Sequence, residues 1–318
     1  MSMTELYVGA GGWAYFKVQG MSPLKTYSKA FGFVEVNSTF YALPAPGVAE
    51  GWRRAVPPGF RFAVRANRVV THKDPFLLTP EADRALQGTL EVCQALKADV
   101  LHFQAPPSFR IDAGASRRLD EFFGSLKAGT MLLALEARGR EEGKGGITRL
   151  PDAFTETLRD HNVLHCVDLL KGERPANGSR ILYTRIFGKG EHNIYQPDDG
   201  ELGQIHAYSE RHEKAYVTFH GARMYSDAAR LTAFERTGRF PAITPFLGAE
   251  SLKSVLEEDS KFPATKQDLI RDVGWKLFDA SEAKRMRVEE ALRLIPEGVY
   301  GNVNDVTAAV QPKGKHIG

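Results

Sequence analysis

Cysteine is nearly absent from this chain: Cys93 and Cys166 are the two in 318 residues. Neither has a partner at metal-finger spacing, which excludes a disulfide-stapled scaffold and a zinc finger. No run of 18 apolar residues occurs, so no segment reads as a membrane-spanning helix. The opening Met1–Glu5 runs almost directly into apolar Tyr7–Ala10, without a basic segment and signal core, and the expected location is cytoplasmic. Excess charge is lacking too. The 42 Lys and Arg against 39 Asp and Glu leave a net +3, short of the balance of a dedicated nucleic-acid wrapper. No Gly-x-Gly-x-x-Gly follows the first apolar run, which argues against a nicotinamide enzyme, and no His-Glu-x-x-His occurs.

What is present is an ordinary globular composition, 42% hydrophobic and 25% charged, long enough for one large core or two smaller ones. Short apolar runs recur at Tyr7–Ala10, Phe33–Val36, Phe60–Ala66, Val100–Phe103, Met131–Leu135, Val163–Val167, Ile181–Ile186 and Ala215–Phe219. Most are continuous and apolar, as strands buried on both faces are. Helical periodicity fills gaps between them, at Ala82–Leu96, Ser116–Leu126 and Phe154–Asp160, and again after the last at Ala222–Phe234. The gap between the seventh and eighth runs is only weakly helical. Eight strands alternating with helices predict an α/β fold, a (β/α)8 barrel of TIM type over residues 1–240.

Residues 241–262, with Pro241, Pro245, Gly248 and a short helix candidate at Ser251–Glu257, read as a connector. Beyond it, Thr265-Lys-Gln-Asp268 resembles a capping box. A second helix is expected over Ser281–Ile295, and Asn302 is placed to cap a third near Val303. A small three-helix domain at 263–310 and a flexible tail at 311–318 complete the expectation.

The N-terminal two thirds carry more specific signals. Val8-Gly-Ala-Gly-Gly-Trp13, Val34-Glu-Val-Asn-Ser-Thr-Phe-Tyr41 with Pro44, Trp52, Pro57, Phe60-Arg-Phe-Ala-Val64 and Thr71-His72 follow one another in order. Phe103-Gln-Ala-Pro-Pro-Ser-Phe109, Glu136-Ala-Arg138, Asp168 and Arg185 continue the series. Together they resemble the DUF72 (YecE-like) family over roughly residues 7–235. The resemblance implies a TIM barrel and a loose link to sugar isomerases, without a defined reaction. This chain departs from the family pattern at Gly139 and Phe187, where the family carries histidines, and at Gly221-Ala222, where it carries asparagines. Residues 261–310 resemble the small helical DUF2795 domain.

Barrel active sites form where the strands' C-terminal ends meet the following loops. That rule collects Trp13, Glu35, Asn37, Arg65, His72, Gln104, Glu136, Arg138, Asp168, Arg185 and His220. Period-two alternation puts Glu35 with Asn37, and Glu136 with Arg138, on shared faces. A carboxylate inside an apolar strand, such as Glu35 between Val34 and Val36, is costly unless paired. It marks either a structural Glu–Arg pair or a general acid/base. Glu136, Asp168 and His72 join it as candidate catalytic groups. Glu35, Glu136 and Asp168 with one histidine would also suit Mg²⁺ or Mn²⁺, ions that prefer oxygen ligands.

Arg65, Arg138 and Arg185 come from three strands and would trap a carboxylate or phosphate if they converge. The alternative is that they neutralise the three acids one for one. Trp13, Phe40, Tyr41 and Phe109 would form an aromatic wall for a base or a sugar ring. Asn37, Gln104 and His220 complete the binding set, while His102 and His165 lie inside strands and read as core.

The residue types point first to an enzyme acting on an anionic, phosphate-bearing small molecule or nucleic acid, with phosphoester hydrolysis favoured. A sugar or sugar-phosphate isomerase or epimerase is the first alternative, and a non-catalytic anion or nucleic-acid binder the second. The C-terminal domain would serve a protein partner.

Overall fold

The computed structural model describes residues 4–310 other than 46, 138–149 and 177. Eight parallel strands follow the predicted runs: β1 Glu5–Ala10, β2 Phe33–Val36, β3 Arg61–Arg65, β4 Val100–Gln104, β5 Leu132–Glu136, β6 Val163–Cys166, β7 Ile181–Ile186 and β8 Lys214–Phe219. They pair in the order β6-β5-β4-β3-β2-β1-β8-β7. The remaining seam, β6 to β7, is closed by a parallel bridge between Val167 and Thr184. Thr184 Oγ1 donates to Val167 O at 2.7 Å, and Arg185 N donates to the same oxygen at 3.2 Å. The result is a (β/α)8 barrel of TIM type, as the spacing predicts.

Helices α1 Pro23–Ala30, α2 Val48–Arg54, α3 Pro80–Leu96, α4 Ala113–Ser125 and α5 Asp152–Asp160 connect the first six strands. α3 starts where Thr79 Oγ1 accepts from Ala82 N and Pro80 supplies a preset φ. At α4, Asp112 Oδ1 accepts from Ala115 N at 2.8 Å. The weakly helical gap between β7 and β8 does hold a helix, α6 Asp199–Ser209; α7 Met224–Thr237 follows β8. The missing connection falls one place earlier, between β6 and β7, where Leu169–Lys171 makes a single 3₁₀ turn.

The barrel interior is layered by the pleat. Phe33, Ala63, Val100, Ala134, Leu164, Cys166, Tyr183 and Tyr216 form one buried apolar cluster. Two residues further along their strands stand Glu35, Arg65, His102, Glu136, Arg185 and Thr218. Side chains two apart share a face, so the polar set belongs to the next layer toward the C-terminal mouth.

The chain divides into two compact units, and the division does not follow chain order near residue 240. One comprises Met1–Phe187, Gln204–His220 and Met224–Ala229; the other comprises Gly188–Gly203, Gly221–Arg223 and Arg230–Gly318. In the second unit, residues 241–262 are more than a connector. They contain α8 Gly248–Asp259, whose Leu252, Val255 and Leu256 lie in that unit's core. The region after it is mixed rather than all-helical. β9 Ala264–Thr265 precedes α9 Lys266–Val273, which begins with the expected Thr265–Asp268 capping box. The expected helix over Ser281–Ile295 is a correction. β10 Leu277–Ser281 and β11 Lys284–Arg287 form an antiparallel hairpin, and α10 is confined to Val288–Leu292. Pairing puts Phe278 opposite Met286, both packed in the core, and brings Arg285 Nε within 2.8 Å of Asp279 Oδ1. A helix would separate those groups. β12 Val299–Tyr300 pairs with β9, and α11 Val303–Val310 follows Asn302, whose Oδ1 accepts from Asn304 N at 2.9 Å. Among the described residues, no helix is long and apolar enough to cross a membrane.

Candidate active site at the barrel mouth

Arg185 organises the polar layer. It is 1% exposed and enters from β7 between two carboxylates. Nη2 donates to Glu35 Oε1 at 3.0 Å, and Nη1 donates to Glu136 Oε2 and, at 3.1 Å, to Gln104 Oε1. Nε points to His220 Nε2 at 3.3 Å. A guanidinium matches this arrangement because its donors lie in one plane and form a rigid fork. Tyr183, two residues earlier on β7 and therefore on the same face, donates its hydroxyl to Glu35 Oε2.

These contacts set the charge states. Burial alone would raise the Glu35 pKa, but Arg185 first, then His220, His102 and Tyr183, hold it well below the usual carboxylate range. Burial would lower the Arg185 pKa; Glu35 and Glu136 override it and raise it. Burial, reinforced by Arg185, pushes His220 down to about 3, and it also lowers His102. Both imidazoles are therefore neutral at pH 7, and Glu35 is ionised. Burial pushes Asp168 up to about 6, although it accepts backbone hydrogen bonds.

His220 is held by packing as well. Thr218 Oγ1 lies 2.7 Å from its Nε2, and Phe187 stacks on the ring with centroids 4.8 Å apart. On the other side the chain passes at Gly11, where a Cβ would come within 2.2 Å of His220 Nδ1. The Gly-rich start after β1 is thus shaped for an imidazole. Gly9 is constrained in the same way, since a Cβ there would meet Phe33 O at 2.1 Å.

Of the three arginines expected to converge, the two described, Arg185 and Arg65, have different partners. Arg185 serves Glu35 and Glu136. Arg65, 7% exposed, donates from Nη1 to Asn37 Oδ1 at 2.8 Å and lies over the Phe40 ring at 3.5 Å. Arg138 falls outside the described residues. Nor do Glu35, Glu136 and Asp168 form one metal-ligand group among the described residues. Arg185 already bridges the first two. The oxygens of Asp168 accept from Leu170 N and Phe187 N, both at 3.0 Å. The Mg²⁺ or Mn²⁺ centre expected from those carboxylates has no matching ligand group among the described residues.

The remaining candidates lie around this centre in smaller groups. His72 accompanies Arg65: it packs edge-on against Phe40 at 4.9 Å, and its Nδ1 is 2.8 Å from Thr71 Oγ1. Trp13 meets Trp52 edge to face at 5.2 Å, and Tyr41 is 68% exposed beside Phe40. Phe109 is core, 5% exposed and packed on Phe76, so it is no part of an aromatic wall. Three residues of the centre were not singled out from the sequence: Tyr183, Cys166 and, read as core, His102. Each lies two residues before a recognised polar position, and that period of two was the available signal.

A closed eight-stranded parallel barrel with its acids, amide and guanidinium at the strands' C-terminal ends has the architecture of a TIM-barrel protein with a polar mouth. The family follows from the sequence. The chain belongs to the family described as "Protein of unknown function DUF72", whose profile matches residues 7–238. It is 34% identical over 108 residues to the UPF0759 protein YecE of Escherichia coli K12. That match covers 33% of this chain and 35% of YecE, about a third of the relative's length. A DUF72 family protein of Thermotoga maritima superposes with a TM-score of 0.57 at 21% identity, covering 73% of this chain and 99% of that one. The corresponding protein of Enterococcus faecalis gives 0.55 at 13% identity, over 73% and 98%. These two likenesses concern the fold.

Proposed function

We propose that the barrel is an enzyme that moves a proton on a small hydroxylated substrate bearing an anionic group, the chemistry of a sugar or sugar-phosphate isomerase or epimerase. The observation that carries this reading is the asymmetry of the carboxylate pair. The Glu136 side chain is 11% exposed whereas that of Glu35 is wholly buried, and one guanidinium holds both. Glu136 is the acid/base group. Glu35, held ionised and bonded by Tyr183, positions Arg185 from behind. Arg185 donates to Glu136 and so fixes the direction of its carboxylate, which is what proton transfer at one carbon requires. Arg65, oriented by Asn37, takes the anionic group of the substrate.

Phosphoester hydrolysis, the other chemistry the residue types suggest, calls for cationic groups free to stabilise charge on the departing oxygens. Arg185 instead faces two carboxylates, which favours the proton-transfer reading. We place this enzyme in the cytoplasm, in keeping with a chain that has only two cysteines.

The test is a panel of aldose and ketose phosphates incubated in D₂O. Wild type is expected to place deuterium on the carbon next to the carbonyl, detected by NMR, with no phosphate released. Glu136→Gln should slow that exchange by about 10²-fold or more. Orthophosphate release without deuterium uptake would replace this reading with hydrolysis, and equal exchange by Glu136→Gln would remove Glu136 from the chemistry.

A further inference from the structure

Behind Glu136, three side chains on consecutive strands face one another. His102 comes from β4, Glu136 from β5 and Cys166 from β6. One candidate ligand atom of each lies within 4.8 Å of the other two, and all three residues are buried. The register explains the grouping, because Gln104 pairs with Glu136 and Glu136 with Cys166, which sets three neighbouring strands level. His102 stands two residues below Gln104, with Nε2 3.4 Å from Glu136 Oε2.

His102 supplies an independent observation. It is 0% exposed; Nδ1 comes no closer than 3.8 Å to Glu35 Oε2, and Nε2 has the long 3.4 Å contact with Glu136 Oε2. Buried polar groups are ordinarily well bonded, and an imidazole held only by long contacts costs free energy that a core leucine would not. Coordination through one nitrogen removes much of that cost.

We propose that His102, Glu136 and Cys166 form a three-ligand site for a borderline-soft divalent ion, zinc. One imidazole nitrogen, one thiolate and one carboxylate oxygen are zinc donors, and the sulfur disfavours the hard Mg²⁺ and Mn²⁺. Three protein ligands leave a fourth position for water or a substrate oxygen, as in catalytic zinc sites. Binding releases the thiol proton of Cys166 to solvent, with no redox step. The site does not rest on the proton-transfer reading and competes with it for Glu136, since a carboxylate bound to the ion no longer serves as the base; metal binding is read without substrate, so the experiment tells the two apart.

The experiment is elemental analysis of the full chain purified without chelator, followed by Co²⁺ titration of metal-stripped protein by absorption. Stoichiometric zinc and a sulfur-to-cobalt charge-transfer band are expected. The band should vanish in Cys166→Ser and persist in Cys93→Ser, and His102→Asn should weaken Co²⁺ binding by at least about tenfold. Circular dichroism of each metal-free variant checks its fold, and Cys166→Ala replaces the serine variant if that one unfolds. Wild type that carries no zinc and develops no band overturns the site, as does a band that survives in both Cys166 variants.

Discussion

Arg185 Nη2 lies 3.0 Å from Glu35 Oε1 with both side chains closed off from water, and the same guanidinium reaches Glu136 with its other arm. Removing the cation alone leaves two carboxylates facing each other in a poorly solvated layer. Arg185→Met should therefore destabilise the barrel by about 3–5 kcal/mol, the usual cost of stranding a buried charge. Adding Glu35→Leu should recover part of the loss, because it removes one stranded charge. Urea denaturation of the wild type, Arg185→Met, Glu35→Leu and the double variant measures the coupling, and a loss below about 1 kcal/mol for Arg185→Met would show the pair to be dispensable.

Gly11 and His220 form a second tight pair. A methyl group at Gly11 would stand 2.2 Å from Nδ1, closer than any van der Waals contact. Gly11→Ala should push the imidazole off Phe187 and Thr218 and cost about 1–3 kcal/mol. The double variant Gly11→Ala/His220→Ala should be more stable than the sum of the two single changes implies. Thermal unfolding of the four proteins decides this, and strict additivity would mean that the backbone absorbs the methyl.

The His220 pKa also makes a pH prediction. Burial holds it at about 3 in the fold, against about 6.5 in the unfolded chain. As pH falls below 6.5 the unfolded chain takes up a proton that the folded site refuses. The His220 contribution is thus complete above the unfolded value and lost as pH drops toward 3, by about 2 kcal/mol at pH 5. His220→Asn should flatten the stability profile between pH 6.5 and 5. A variant profile parallel to that of wild type over this interval would assign the acid sensitivity elsewhere.

In the second unit, Asp279 gathers three donors. Its Oδ2 accepts from Ile243 N at 2.7 Å and Thr244 N at 2.9 Å, while Oδ1 takes Arg285 Nε at 2.8 Å. Asp279→Ala leaves two backbone amides and the Arg285 Nε–H without this acceptor, although the guanidinium keeps Asp199, and should cost about 2–4 kcal/mol. Hydrogen exchange should then speed up at Ile243 and Thr244 and across Leu277–Arg287, with the amides of β1 to β5 unchanged. Unchanged exchange at Ile243 and Thr244 would contradict the assigned role.

The barrel was legible in the chain because parallel strands covered on both faces leave continuous apolar runs, and eight such runs at helix-sized intervals admit few other folds. Glu35, Glu136 and Arg185 were legible for a related reason, since an ionised group inside such a run needs a partner. Which partner it takes is set by strands far apart in sequence. Glu35 and Arg185 are neighbours because closure of the barrel sets β7 opposite β2, and that closure sent Arg185 to two acids while Arg65 turned to Asn37. Residues 281–287 show the same limit. Their composition suits a helix, but Phe278 and Met286 gain burial together and Arg285 meets Asp279 in a hairpin, so tertiary contacts overrode local preference. The amino-acid order by itself determined the strands, their polar ends and the family. Only the folded chain decided which charges cancel, which buried histidine is held only by long contacts, and that a thiol stands beside it, because those facts depend on distances across the barrel.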